Sequence, residues 1–373
     1  MADITLPAGP ILAVCGWSGS GKTTLLERAL PDLTGSGLRV CVVKHDAHGI
    51  RYDARGKDSD RLFDAGADVA LGGPGESFVR RRAGDRELSG LLAELLAEYD
   101  LVLVEGHKDT PLPKLWLPRE GDPPAAPDGV TAVQEILPWD TDRLAALRTF
   151  LRTWLPEAWR EPPVYGGILL GGESRRMGAP KHLLEIDGQT LYARAEDALR
   201  PHVARIVRLG EGTVPEGATP DHLPDPPGLA GPLAGILAAL RWAPHATWVF
   251  APADHPGLRP ESVGWLLEQR APGRWAVLPH VGTGPVEPLL ALYDARARRP
   301  LEALAAGGLR APSRHADHPC TYSPPVPDEH TASWINVNTP EEWKRWRSEE
   351  GGEADGGSTA TPATPRSPRT GSP

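Results

Sequence analysis

The chain has 373 residues and a formal net charge of −9 at pH 7. This length predicts two domains rather than one. The negative charge does not favour a nucleic-acid partner, so any phosphate binding must come from local sites. No apolar run reaches the ~18 residues of a membrane span, and no signal peptide is visible. We therefore expect a cytoplasmic protein without a membrane partner.

The first informative stretch is an apolar run that leads into a glycine-rich loop. Residues 11–15 predict a buried strand, the pattern GxxxxGK[ST] follows directly, and residues 24–30 are helix-forming. In this context a P-loop cradles phosphates with backbone N–H groups and a helix N-terminus. Lys22 would reach the β- and γ-phosphates, and Thr23 would ligate Mg²⁺. The predicted phosphate-binding residues are Gly16, Trp17, Ser18, Gly19, Ser20, Gly21, Lys22 and Thr23.

Two further apolar runs in this half end in polar residues. Residues 38–43 predict a strand that leads into His45 and His48, and residues 101–104 predict a strand that leads into Glu105. In open α/β sheets the loops at the carboxyl ends of strands line the site. An acid at such a strand end matches the Walker B arrangement, which holds Mg²⁺ or its water shell. We therefore add Glu105 to the predicted P-loop site.

Together these pieces resemble the MobB family. The matching motifs are GWSGSGKTTLLE, VKHD, GKDS and LVEGHK, and the resemblance spans roughly residues 10 to 155. It implies a GTP-binding P-loop adapter that assists a guanylyltransferase and turns over GTP slowly, if at all. It further implies a homodimer through the N-terminal domain, and molybdoenzyme apo-proteins and their chaperones as partners.

The composition changes after residue 155. Residues 144–155 predict an amphipathic helix, and the proline-rich segment after it predicts a linker, because proline blocks continuation of a helix. The predicted organisation is a P-loop domain at 1–157, a linker at 158–163, a second domain at 164–347 and a tail at 348–373. Gly, Ser, Thr, Pro and Glu dominate the tail, so we expect it to be disordered.

The second half opens with an apolar run, residues 168–170, that breaks into a glycine-rich loop. Glycines let backbone N–H groups approach a polyphosphate closely. Arg175, Arg176 and Lys181 then add positive charge and donors for phosphate oxygens. Glycine loops and paired arginines also occur on ordinary solvated surfaces, so the loop alone leaves both interpretations open. A strand, a glycine loop and cations are nevertheless what a nucleoside triphosphate needs if its α-phosphate is to be attacked.

Strands and helices alternate after this loop, which predicts a doubly wound, Rossmann-like α/β domain. Asp254 follows an apolar strand that begins at Thr247, where a carboxylate can bind Mg²⁺; a helix cap or a solvated loop residue is the alternative. Thr339 and Glu342 predict a capping box around Pro340. Asn336 and Asn338 would lie on one face of a strand end.

The pattern LLGGxSxRMGxxK at residues 169–181 resembles the signature of the MobA-like nucleotidyltransferases, as do GPLAG, PLLAL and NVNTPE further on. The resemblance implies transfer of GMP from GTP to molybdenum-bound molybdopterin, with Mg²⁺ as cofactor and release of pyrophosphate. Lys181, Arg176 and Asp254 would be catalytic, Asp254 would bind the metal, and Asn336 and Asn338 would bind the acceptor. The GTP-binding residues would be Leu169, Leu170, Gly171, Gly172, Ser174, Arg175, Lys181, Asp225 and Asp254.

Two alternatives remain at this point. One is an enzyme of the same fold that uses CTP on the same acceptor, as a cytidylyltransferase, or that uses a sugar phosphate as acceptor; against CTP, the N-terminal half argues for guanine. The other is mainly a GTP-binding adapter that delivers cofactor to apo-enzymes and carries a degenerate second domain. Lys181, Asp225 and Asp254 are intact, which argues against degeneracy.

Overall fold

A computed structural model describes residues 6–44, 57–81, 88–170, 180–212, 214–215 and 217–353. In these ranges the chain forms two α/β units, one on each side of residues 161–163. None of the helices in these ranges combines the length and the hydropathy of a membrane-spanning segment.

The N-terminal unit is built on a five-stranded sheet in the order β2-β5-β1-β6-β7, whose neighbouring strands all run parallel. A separate antiparallel hairpin pairs β3 with β4. The strands are β1 Ile11–Gly16, β2 Val40–Lys44, β3 Val69–Gly72, β4 Ser77–Arg80, β5 Leu101–Glu105, β6 Lys114–Leu117 and β7 Val133–Ile136. The helices are α1 Lys22–Gly35, α2 Asp58–Asp64, α3 Leu88–Leu96 and α4 Arg143–Arg160.

Side chains of β1 alternate between two apolar cores, because successive residues of a strand face opposite sides of the sheet. Leu12 and Val14 pack with α1 and α4 on one face. Ile11 and Ala13 pack with α3 on the other. The sheet is therefore covered on both faces, and the predicted strands at 11–15, 38–43 and 101–104 are confirmed within one or two residues. Strand β6 lies inside a proline-rich segment in which the sequence predicts no strand.

The predicted end of the helix before the linker was wrong. Helix α4 continues to Arg160 with Pro156 inside it, so residues 158–160 of the predicted linker are helical. The apolar face supplies the reason: Ala158 and Trp159 are buried, at 1% and 2% exposure. Their burial offsets the hydrogen bond that proline removes from the helix.

The C-terminal unit is built on a seven-stranded sheet in the order β12-β11-β8-β13-β15-β14-β16. Strand β15 runs antiparallel to both of its neighbours, and the other pairs are parallel. A separate antiparallel pair joins β9 to β10. The strands are β8 Val164–Leu169, β9 Glu185–Ile186, β10 Gln189–Thr190, β11 Arg205–Leu209, β12 His222–Leu223, β13 Thr247–Pro252, β14 Ala276–Val277, β15 Ala291–Tyr293 and β16 Thr321–Tyr322. The helices are α5 Leu191–Leu199, α6 Pro232–Trp242, α7 Pro260–Glu268, α8 Arg298–Ala306 and α9 Pro340–Glu353.

This second sheet is also covered on both faces. Helices α6 and α8 pack on the side of Trp248 and Phe250, whereas α5 and α7 pack on the side of Ile168 and Val249. The doubly wound α/β fold predicted for this half is therefore confirmed, with β15 as an antiparallel insertion.

Two predictions near the C-terminal end were wrong. The sequence predicted a strand end at Asn336 and Asn338, but residues 335–338 have irregular structure. One reason is that the backbone N–H of Val337 donates to the carbonyl of Asp254 (3.2 Å) instead of to a neighbouring strand. Helix α9 runs to Glu353, so residues 348–353 of the predicted tail are helical, as a continuation of the helix that the capping box at Thr339 begins. Residues 354–373 lie outside the described residues.

The two units contact each other through buried polar groups. The indole Nε1 of Trp275 donates to Oδ1 of Asp100 at 2.7 Å. Nε of Arg296 donates to the carbonyl of Tyr99 at 2.8 Å, and its guanidinium lies over the ring of Trp159. Asp100 is fully buried and Trp275 is 3% exposed. Burial raises the pKa of Asp100, although hydrogen bonds from the Arg39 N–H and from Trp275 and the charge of Arg296 lower it. Because buried polar groups are costly without partners, this contact disfavours separation of the units.

This contact lies at the amino ends of strands in both sheets. Asp100 directly precedes β5, and Trp275 directly precedes β14. Glu105 is the last residue of β5, and Asp254 lies beyond the end of β13. The carboxyl ends of the two sheets therefore point away from the contact between the units.

Candidate functional site

The P-loop connects β1 to α1 at the carboxyl edge of the first sheet. Gly16 begins it with φ +155°, and a Cβ there would lie 2.4 Å from the carbonyl oxygen of Leu117. Only glycine fits at this approach. Trp17, Ser18 and Gly19 are exposed, Ser20 is buried, and Gly21 caps α1 in the left-handed conformation. Lys22 and Thr23 follow as its first residues, which places loop N–H groups and the helix N-terminus together.

The structure brings the predicted metal-binding pair together. Oγ1 of Thr23 donates to Oε1 of Glu105 at 2.9 Å, and Nζ of Lys44 lies 4.0 Å from Oε2 of Glu105. Nζ of Lys22 donates to the carbonyls of Gly16 (3.0 Å) and Trp17 (2.9 Å). Burial lowers the pKa of Lys22. The Walker A and Walker B groups thus lie together at the carboxyl edge of the first sheet. Their role in binding nucleotide stays a prediction.

One arginine that the sequence reasoning missed supports this loop. Arg143, the first residue of α4, donates from Nη1 to the carbonyl of Ser20 at 2.7 Å and from Nε to the carbonyl of Leu137 at 2.9 Å. It therefore ties the P-loop to a segment more than a hundred residues further along the chain. No local pattern could have identified it, because its partners are backbone carbonyls.

The second candidate site is a cavity of about 520 Å³ at the carboxyl edge of the second sheet. Small-molecule sites commonly have volumes of about 300–1,000 Å³. Residues from the ends of β8, β11 and β13, the start of α6 and the turn at 181–183 line it. They include Leu169, Leu170, Lys181, His182, Leu209, Gly210, Glu211, Asp225, Gly231, Pro232, Ala253 and Asp254.

A lysine and an aspartate form the polar end of this cavity. Nζ of Lys181 lies 3.4 Å from Oδ2 of Asp254, and Nδ1 of His255 lies 3.0 Å from Oδ1 of the same carboxylate. Burial opposes ionisation of Asp254, but the hydrogen bond and charge of His255 and the charge of Lys181 outweigh it, and the net pKa is lowered. Asp254 is therefore a carboxylate at neutral pH. Sequence reasoning assigned no role to His255, although its place next to Asp254 was a usable signal.

Two further acidic residues, Asp225 and Glu211, line the same cavity. Burial raises the pKa of Asp225, and the nearby charge of Glu211 raises it further. Gly210 shapes this region: its φ is +85°, and a Cβ there would lie 2.8 Å from the carbonyl oxygen of Leu170. Glu211 was also missed by sequence reasoning, because only the fold shows that the end of β11 faces Asp225.

The two predicted acceptor residues differ in their surroundings. Oδ1 of Asn338 accepts a hydrogen bond from Nζ of Lys181 at 2.6 Å, whereas Asn336 is exposed. The predicted capping box is confirmed, since Glu342 accepts from the N–H of Asn338 (2.6 Å) and Thr339 (3.2 Å) and its own N–H bonds to the Thr339 hydroxyl. Asn338 is thus fixed next to Lys181 and Asp254.

Gly171, Gly172, Ser174, Arg175 and Arg176 of the second glycine loop lie outside the described residues, as do the histidines at 45 and 48. Their predicted contacts stay predictions.

The metal prediction can be tested against the donors that are present. Among the described residues, no group of three His, Cys, Asp or Glu side chains could hold a metal ion. Each candidate site instead offers a carboxylate, Glu105 beside Thr23 in one and Asp254 in the other. Mg²⁺ is commonly held by one or two carboxylates together with substrate phosphates and water. The residues therefore fit Mg²⁺ shared with a bound nucleotide.

Known proteins match each half of the chain separately. The family described as molybdopterin guanine dinucleotide synthesis protein B matches residues 11–134. The MobA-like NTP transferase domain matches residues 166–319.

The similar proteins include a molybdopterin-guanine dinucleotide biosynthesis adapter protein of Haemophilus influenzae, 35% identical over 161 residues, which cover 39% of this chain and 89% of that protein. An adapter protein of Escherichia coli is 37% identical over 117 residues, 30% of this chain and 67% of the relative. A molybdenum cofactor guanylyltransferase of Rhizobium meliloti is 34% identical over 198 residues, 48% of this chain and 88% of that enzyme.

Proposed function

The chain belongs to two families of molybdopterin guanine dinucleotide biosynthesis, the MobB adapter proteins through its N-terminal half and the MobA-like nucleotidyltransferases through its C-terminal half; on this premise we propose that its second domain transfers GMP from GTP to molybdenum-bound molybdopterin. The observation that carries this proposal is one cavity lined by Lys181, Asp254 and Asp225. It offers a cation and a metal-binding carboxylate to phosphates, and a second carboxylate to a base.

Asp225 is the proposed reader of the base. A carboxylate has two acceptor oxygens and can accept from both N1–H and the 2-amino group of guanine. Cytosine presents two acceptors and one amino group on its pairing edge, so it gives such a carboxylate fewer donors. Glu211 adds negative charge at the same end of the cavity, which further favours a donor-rich base edge.

Lys181 and Arg176 are proposed to hold the triphosphate. A terminal phosphate oxygen of the acceptor attacks the α-phosphorus in line, and the bond from this phosphorus to the α–β bridging oxygen breaks. Pyrophosphate leaves with the bonding electron pair. Negative charge grows on the leaving group, so catalysis rests on positioning and electrostatic stabilisation. The attacking phosphate is already ionised, so no general base is required.

Asp254 is proposed to hold Mg²⁺ together with the phosphates. When bound, Mg²⁺ would supply charge neutralisation at the phosphate oxygens. The lowered pKa of Asp254 keeps it ionised for this task. His255, through its contact with Oδ1, fixes the orientation of the carboxylate and leaves Oδ2 on the side of Lys181.

The first domain is proposed to act as a GTP-binding adapter. Lys22, Thr23 and Glu105 lie together as a nucleotide with Mg²⁺ requires, and loop N–H groups would bind the phosphates. Proposed partners are molybdoenzyme apo-proteins and their chaperones, and a second copy of the chain through this domain.

The preference for GTP over CTP tests the proposed role of Asp225 in binding the base. With Mg²⁺ and molybdenum-loaded molybdopterin, we expect higher kcat/KM for dinucleotide formation with GTP than with CTP. In Asp225→Asn, one acceptor oxygen becomes a donor, so the GTP-to-CTP ratio should fall about tenfold to a hundredfold, as the loss of a hydrogen bond to a charged group predicts. Product analysis with each nucleotide gives the ratio directly.

The matched control for this test is Asp197→Asn. Asp197 lies on α5, its side chain is 62% exposed, and its substitution should leave the ratio unchanged. Preferential use of CTP by the unaltered protein would overturn the base assignment but keep the chemistry. An unchanged ratio in Asp225→Asn would remove Asp225 as the reader.

A further inference from the structure

Lys181 touches residues that the proposed function assigns to both substrates. Its Nζ lies 3.4 Å from Asp254, assigned to the metal and the GTP phosphates, and donates at 2.6 Å to Oδ1 of Asn338, assigned to the acceptor. The Lys181 side chain is only 15% exposed, so its ammonium is largely shielded from water in this position. One flexible cation therefore connects the donor side of the site to the acceptor side.

Asn338 is held in place from two directions. The N–H of the preceding Val337 bonds to the carbonyl of Asp254 at 3.2 Å. The N–H of Asn338 itself bonds to Oε2 of Glu342 in the first turn of α9 at 2.6 Å. Lys181, in contrast, has a long aliphatic stem with several rotatable bonds. When the contact between them breaks, the lysine side chain is the part that moves.

Phosphates compete for this lysine more strongly than the amide does. The ammonium is the one charged partner in the Lys181–Asn338 hydrogen bond, because the amide oxygen is neutral, whereas a phosphate oxygen adds the Coulomb attraction of an opposite charge. A triphosphate that arrives with its cation at Asp254 would draw Lys181 to its own oxygens. Oδ1 of Asn338 would then lose its donor and become available to the acceptor.

We propose that the Lys181–Asn338 contact is a latch that makes acceptor binding depend on GTP. With the latch closed, the lysine occupies the Asn338 oxygen, and acceptor binds weakly. With GTP bound, the lysine moves to the triphosphate, and acceptor binds tightly, so that GTP binds first. This inference rests on the proposed function of the second domain. Coupling between two ligands is reciprocal, so acceptor must tighten GTP binding by the same factor.

Binding measurements without turnover test the latch. The full-length Lys22→Ala protein serves as parent, because the substitution should weaken nucleotide binding at the P-loop. Its affinity for molybdopterin is measured with Mg²⁺, with and without a GTP analogue that carries a methylene bridge between the α- and β-phosphorus. We expect the analogue to tighten molybdopterin binding about 5- to 150-fold, the usual range of coupling between sites.

Two variants made in this parent test the two residues of the latch one at a time. Lys181→Met leaves Asn338 open, so molybdopterin should bind tightly with or without the analogue. Asn338→Ala removes the acceptor contact, so molybdopterin should bind weakly in both conditions. Both lose the coupling, but with opposite absolute affinities. The control Lys344→Met, at an exposed position on α9, should keep the coupling of the parent.

The failures of the two hypotheses are distinguishable. If the parent binds both ligands independently, the latch is wrong and the proposed function stands. If Lys181→Met loses molybdopterin binding altogether, Lys181 is itself an acceptor ligand and the latch is also wrong. If neither molybdopterin nor the analogue binds to the parent, the proposed function fails together with the inference.

Discussion

Replacement of Lys181 by alanine is expected to lower the turnover of GMP transfer by about a hundredfold to a thousandfold, the usual cost of removing one donor that stabilises charge in a transition state. Lys181 lines the second cavity beside Asp254, where we propose that charge develops on the leaving pyrophosphate. The fold should persist, because this side chain is not part of either buried core of its domain. Turnover is measured as dinucleotide formed at saturating GTP and acceptor.

Lys22→Ala is the matched control for this prediction. It removes the corresponding ammonium group from the P-loop of the other unit. This loop lies at the carboxyl edge of the first sheet, which points away from the contact between the units. GTP binding by the P-loop should fall, whereas transfer by the second domain should change little. Near-normal turnover in Lys181→Ala would remove Lys181 from the catalytic machinery.

Asp254→Asn is expected to lower turnover by a similar factor, about a hundredfold or more, and to shift the Mg²⁺ dependence to higher concentration. The substitution keeps the shape of the side chain but removes the charge that a hard cation prefers. The carboxylate also contacts Lys181 and His255, so an uncharged amide at this position would weaken both contacts. A Mg²⁺ titration of turnover measures the effect.

A surface aspartate provides the comparison for Asp254. Asp221→Asn changes an aspartate near β12 that is 39% exposed and pairs with Arg205, and it should leave the Mg²⁺ midpoint unchanged. An Asp254→Asn protein with the same midpoint and turnover as the unaltered chain would show that the cation binds elsewhere.

Local patterns were sufficient to predict the strand ends that carry the sites. An apolar run followed by GxxxxGK[ST] predicted β1, the loop and α1, because the glycines and the lysine are needed at fixed spacing. The position of Asp254 after an apolar strand was equally readable. In both cases the chemistry and the fold depend on residues that are neighbours in the sequence.

Features that depend on distant residues could not be predicted in this way. Helix α4 passes through Pro156 because Trp159 finds a buried place beyond it. Asp100 is an ordinary acid in the sequence, but Trp275 of the other unit gives it a buried hydrogen-bond partner. The Lys181–Asn338 contact joins residues that are 157 positions apart. Propensity and periodicity carry no information on such pairs.

The arrangement of the two units bears on how an adapter and a transferase work in one chain. Glu105 and Asp254 lie at carboxyl ends of strands, whereas the contact through Asp100 and Trp275 lies at amino ends. The two proposed nucleotide sites therefore lie away from the surface that joins the units. In this arrangement we expect neither site to contribute residues to the other site of the same chain.

The most direct test of the account follows the phosphates of GTP in the Lys22→Ala protein. GTP labelled at the α-phosphate or at the γ-phosphate is incubated with Mg²⁺ and molybdenum-loaded molybdopterin. The account predicts α-label in the dinucleotide and γ-label in pyrophosphate, in equal amounts. Absence of α-label from any dinucleotide and of γ-label from pyrophosphate would contradict GMP transfer and leave the protein as a GTP-binding adapter.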